Sequence, residues 1–78
     1  MNNHIYCVRD RLAQTAGAPF LQVNDECAMR YFNAQQARAP EYAHDMELWH
    51  CGVFNILTGA IEPDLRLVQI GGVTVEEE

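Results

Sequence analysis

The stretch ELWHCGVFNILTGAIEPD, residues 47–64, constrains this 78-residue chain more than any other segment. It reads as two extended runs around a short loop, which commits the middle of the chain to an antiparallel strand pair. Asn55 opens the loop NILTG, and Gly59 supplies the left-handed residue that hairpin loops of this length need before the return strand. Successive side chains of a strand point to opposite faces. Leu48, His50 and Phe54 are therefore expected on one face, and Trp49, Cys51 and Val53 on the other. His50 and Cys51 are neighbours in sequence, yet this alternation denies them a shared nucleophile–base geometry.

The rest of the chain is organised around that hairpin. HIYCVRD, 4–10, alternates and is rich in β-branched and aromatic residues, so it predicts a first strand with Ile5 and Cys7 on one side and Tyr6 and Val8 on the other. RLAQTAGAPF, with Gly17 and Pro19, is a connection, and Phe20, Leu21 and Val23 give a short second strand. Asn24 or Asp25 can cap a helix expected over 25–38, with Asp25 and Glu26 in its first turn. It stops before Ala39–Pro40, because the residue preceding proline avoids helical geometry. Ala28, Met29 and Phe32 form its apolar stripe, continued by Gln35 and Gln36; Arg30, Ala34 and Arg38 lie on another side with Tyr31 between.

APEYAHD, 39–45, reads as a polar connection, 60–62 as the return arm of the hairpin, and Leu65–Ile70 as the last strand, which Gly71–Gly72 breaks. The expected architecture is one α+β domain over 1–72: a helix packed on a three- or four-stranded, mainly antiparallel sheet in the order β-β-α-β-β. Residues 73–78 are expected to form a frayed acidic tail. Which alternating set of sheet residues faces the helix is left open by the sequence.

A chain this short buries a small core. With 49% hydrophobic residues, apolar surface is left over, and self-association is the usual remedy in small scaffolds without disulfides or metals. A homo-oligomer is expected, with Tyr6 and Trp49 as interface candidates on the sheet face away from the helix. Three cysteines cannot all pair within one chain, and no apolar run approaches a membrane span or a secretory leader. Reduced thiols in a cytoplasm, away from membranes, are the expectation.

Charge is distributed unevenly. The net charge is −6 with no lysine; residues 1–38 balance at +1 and residues 39–78 at −7. Such totals argue against a protein that coats DNA stoichiometrically. Cys7, Cys27, Cys51, His44 and His50 lack the paired spacing of a structural zinc site, and no glycine-rich phosphate loop is present. Glu62 with Asp64, and Glu41, Asp45 and Glu47, suit a solvated acidic edge better than a general acid–base pair. No catalytic residue, metal or cofactor is therefore expected. The remaining functional candidates are Arg9, Arg11, Arg30 and Arg38 with Tyr31. Arginine forks on phosphates and stacks on bases, and a tyrosine adds a stacking surface. Each arginine alone is read more simply as solvated, Arg30 in a helix-surface pair with Glu26.

The order of landmarks resembles the small nonstructural protein of gokushovirus-type microviruses, single-stranded DNA bacteriophages that include chlamydial phages. The resemblance rests on VRD (8–10), APF (18–20), AMRYF (28–32) with its A-x-R-x-F pattern, and ELWHCGVFN followed by LTGAIEP (57–63). It spans about residues 4–64; an aspartate-rich turn and lysines near the first strand, frequent in that family, are missing here. The resemblance implies a protein of the infected host's cytoplasm, absent from the virion, that assists or regulates genome replication or packaging by binding single-stranded DNA. By position, Arg30 carries the motif's functional side chain and Phe32 falls on the core face. The alternative is an acidic regulator that docks on a replication, host or capsid-assembly protein without touching DNA, which the charge favours.

Overall fold

The computed structural model describes residues 2–72, and of Asn2 the backbone alone; the acidic tail expected over 73–78 lies outside the described residues. Five strands form one antiparallel sheet: β1 (Asn2–Asp10), β2 (Thr15–Ala16), β3 (Phe20–Gln22), β4 (Met46–Asn55) and β5 (Ile61–Ile70). Helix α1 (Asp25–Gln36) lies on one face, followed by a 3₁₀ turn, Pro40–Asp45. β1 is flanked by β4 on one side and on the other by β2 and β3, which together make one interrupted edge. β5 completes the far edge against β4. The α+β class and the single main helix are as expected, and the order is broadly β-β-α-β-β. The sheet has five strands rather than three or four, because part of the 11–20 connection itself pairs with β1 as β2.

Local chemistry explains each element. Beyond β1, Asp10 Oδ1 accepts from the backbone of Leu12 and Ala13 at 3.0 and 3.1 Å, and Gln14 N donates to Asp10 O at 2.8 Å. The connection expected there is thus a tight hairpin into β2, closed by Gln14 at φ 60. Asn24 caps α1 by accepting from Cys27 N at 2.9 Å. The helix ends at Gln36, two residues short of expectation, and residues 37 and 38 continue as a turn. The 39–45 connection is in fact mostly 3₁₀ helix, opened by Pro40. In the β4–β5 turn Asn55 Oδ1 accepts from Leu57 N at 2.9 Å, and Gly59 takes φ +80 while donating to Asn55 O. That loop forms as read; Ile61–Ile70, however, is one strand rather than two pieces.

The core is small. Tyr6, Leu48, Ala28 and Phe32 are fully buried between sheet and helix, with Val8, Phe20, Met29, Met46 and Val68 packed around them. The stripe Ala28, Met29, Phe32 meets the sheet as predicted. Ile5, Cys7 and Arg9 of β1 point to the face that carries no helix. β4 does not keep one alternation along its length. Its pairing with β1 shifts between Ile5, opposite Gly52, and Tyr6, opposite His50, so Cys51 is an extra residue. This bulge corrects the expected faces: Leu48, His50 and Val53 lie on the helix side, whereas Trp49, Cys51 and Phe54 lie on the other. Gly52 is required there, since a Cβ would stand 2.5 Å from the backbone oxygen of Glu62.

Candidate functional site

Two places concentrate side chains with chemistry to offer. The first lies at the N-terminal end of α1, where the helix meets β1, β4 and β5. His50 is 1% exposed. Its Nδ1 lies 2.7 Å from the backbone oxygen of Asp64, and its Nε2 lies 2.9 Å from His4 Nδ1. A carbonyl oxygen only accepts, so His50 carries its proton on Nδ1. In the neutral ring Nε2 is then the acceptor, and His4 donates from Nδ1, leaving His4 Nε2 outermost. Asp64 Oδ2 also lies 3.4 Å from His50 Nδ1.

Beside this chain runs a second one. The Tyr6 hydroxyl donates to Asp25 Oδ1 at 2.6 Å, and Arg66 forks onto both Asp25 oxygens at 2.8 and 3.2 Å. Arg66 Nε also lies 3.5 Å from Asp64 Oδ2, which joins the two chains. The Arg66 fork, and then the Tyr6 hydroxyl, hold the Asp25 carboxyl below the usual carboxylate range. Burial, reinforced by the bond to Asp25, pushes the Tyr6 phenol up, and Asp25 likewise raises Arg66. A shallow depression of about 330 Å³ opens over His4, Asn24, Asp25, Glu26 and Arg66. Its polar groups are bonded mainly to one another, so the cluster acts as a clasp that fixes the first turn of α1 to three strands. Among the described residues, no three His, Cys, Asp or Glu side chains are arranged to hold a metal ion.

The second place is the helix-free sheet face. Cys7 and Cys51 meet there with their Sγ atoms 3.3 Å apart. Burial first, then the bond to Cys51, pushes the Cys7 thiol up to about 11, so it stays protonated near neutrality. Trp49 Nε1 donates to Glu47 Oε1 at 2.9 Å, and Arg9 pairs with the same oxygen at 3.7 Å. Around these, Leu21, Ile61, Leu65 and Leu67 are solvent-exposed. A hollow of about 270 Å³ is lined by Ile5, Pro19, Phe20, Leu21, Phe54 and Ile61.

The residues singled out from sequence are not gathered into one patch. Arg9 is on the helix-free face and engaged with Glu47. Arg11 opens the turn after β1, and Arg30 and Arg38 are exposed in the helix layer on the opposite side of the sheet. Tyr31 is exposed on α1, its ring 4.7 Å from that of Phe20 and its hydroxyl accepting from Gln35. Among the described residues Arg30 makes no ion pair with Glu26. Trp49 is on the helix-free face as expected. Tyr6, expected beside it at an oligomer interface, is fully buried beneath α1, because β1 turns Tyr6 and Val8 towards the helix.

His50 and Cys51 are parted across the sheet, as the alternation required. The clasp was missed from sequence: Asp25 and Arg66 are 41 residues apart, and no local pattern links them. The pairing of β1 with β4 accounts for its His4–His50 part alone, by setting both residues on one face.

Helix and sheet together make a two-layer α+β domain with a polar clasp on one face of the sheet and no helix on the other. The chain matches the family model described as Phage ORF5 protein over residues 3–74. It belongs to that family and is a bacteriophage accessory protein. No curated protein and no solved structure matches it.

Proposed function

We propose that this chain is a nonenzymatic nonstructural protein of a gokushovirus-type microvirus, acting in the host cytoplasm on genome replication or packaging by docking onto another protein. The dispersal of its cations carries this reading. Arg9 and Arg66 are tied to Glu47 and Asp25, and the remaining arginines are spread over the turn after β1 and the helix layer of a chain carrying −6. A basic partner of the replication or assembly machinery is the natural complement of such a surface, with long-range attraction favouring encounter.

Direct binding of single-stranded DNA is the second reading. It is favoured by one observation: Arg11, Arg30 and Arg38 are exposed and have no ion-pair partner among the described residues, with Tyr31 exposed beside Arg30. Fluorescence anisotropy of labelled single-stranded and duplex oligonucleotides, at low and physiological salt, separates the two. Docking on protein predicts negligible binding even at low salt, and retention of a phage-encoded partner after nuclease treatment. Salt-sensitive binding that prefers the single strand, with a slope reduced by about one for each of Arg11, Arg30 and Arg38 replaced, would reverse the order.

A further inference from the structure

We propose that the helix-free sheet face is covered by the same face of a second copy of this chain, making a face-to-face homodimer. The first support is the size of the core. Among the described residues the buried hydrophobic side chains are Tyr6, Ala28, Phe32, Ala43 and Leu48, two of them alanines. Meanwhile Leu65 is 71% exposed and Ile61 60%. A core that small needs its second layer whenever the chain is folded, and the partner always present at synthesis is another copy.

The second support is charge. A chain at −6 resists meeting itself. Among the described strand residues, however, the charged side chains on this face are Arg9 and Glu47, which face each other at 3.7 Å and cancel. The acidic side chains of Glu62 and Asp64 point to the helix side. Two copies therefore meet with least repulsion here, whereas a nucleic acid or an anionic membrane would find no free cation to hold. The third support is extent. Four strands abreast and the ten residues of β4 span roughly 600 Å² in plan. Side-chain relief brings that near the roughly 800 Å² per partner of a standard interface.

The sole tryptophan of the chain, Trp49, lies on this face and reports on it without any mutation. The experiment is sedimentation velocity of the full chain from micromolar to submillimolar concentration, at low and physiological salt, with Trp49 emission and acrylamide quenching read on the same samples. The expected result is twice the chain mass of 8.9 kDa, with Trp49 emission shifting to the blue and quenching falling as the dimer forms. Salt should tighten the dimer by screening the net charge, opposite to its effect on nucleic-acid binding. Leu65→Glu, at a position too exposed to disturb the core, should weaken association about tenfold or more. If that variant misfolds, the wild-type tryptophan readout decides alone. A monomer at every concentration, a dimer that leaves Trp49 unchanged, a folded Leu65→Glu chain that associates normally, or shielding of Trp49 by an oligonucleotide instead would each overturn the proposal.

Discussion

At the scale of single residues, Asp25 carries more of the fold than its half-exposed position suggests. It is the first residue of α1, the acceptor for Tyr6 and the anchor of Arg66. Replacing it by alanine leaves a buried phenol without its partner, so Asp25→Ala should cost about 1–2 kcal/mol in urea unfolding. The exposed side of the Arg66 pair adds little to that. Tyr6→Phe removes the hydroxyl alone and should cost about 1 kcal/mol; in the double variant the two losses should fall well short of additive. Gln14 offers the converse. Its φ of 60 strains a residue with a Cβ, and Gln14→Gly should be neutral or raise the thermal midpoint, measured by circular dichroism. Of this, only the place of Asp25 in the first turn of α1 was legible from sequence. A capping residue such as Asn24 announces itself by its neighbours, whereas the partners of Asp25 depend on how strands 40 residues apart are aligned.

At the scale of elements, the boundaries were readable wherever a local rule governs them. Asn24 starts α1, Asn55 and Gly59 make the β4–β5 turn, and the alternation in β1 put Tyr6 and Val8 on a face of their own. The reading failed where an element departs from its period. The bulge at Cys51–Gly52 moved Phe54 and Val53 to the faces opposite those expected, because one extra residue reverses the alternation beyond it. Gly52 was the available signal, since a glycine inside a strand pattern often marks a bulge. Gly52→Ala should push β5 away from β4 and destabilise the chain by about 1–3 kcal/mol. Hydrogen exchange at the amides of residues 61–64 would show the loosening locally. Asn24→Ala should cost about 1 kcal/mol and fray the first turn, which also holds the clasp.

At the scale of the whole molecule, stability should be limited on both sides of neutrality by identifiable groups. Arg66 and Tyr6 depress the Asp25 carboxyl in the folded chain, so the folded state releases that proton more readily than the unfolded one. Its contribution is complete above the unfolded value of about 3.9 and is lost as pH falls through the lower folded value. Acid unfolding should therefore steepen below about pH 4 in the native chain and less so in Asp25→Asn. Cys7 has the opposite sense: the folded chain keeps its proton up to about 11. Stability should decline as pH rises from the ordinary thiol value of about 8.5 towards that point, and Cys7→Ala should flatten the decline. Charge asymmetry and small size were visible in the sequence, and both pointed to a partner. The dispersal of the arginines was not visible, because the layer each one joins is decided only when the helix is laid on the sheet.

The bulge in β4 also has a bearing on how this chain can change. A strand with an odd residue inserted is a splice between two reading frames of inside and outside. Upstream of Cys51 the frame sends Leu48 inward; downstream it sends Phe54 outward. Deleting Cys51 would merge the frames and leave the facing as it is, with His50 and Val53 on the helix side and Gly52 and Phe54 outside. Straightening the bulge with every residue kept would instead turn Phe54 in and Val53 out. Substitutions retouch the outer surface position by position, whereas loss of the bulge with its residue retained would redraw half a strand at once.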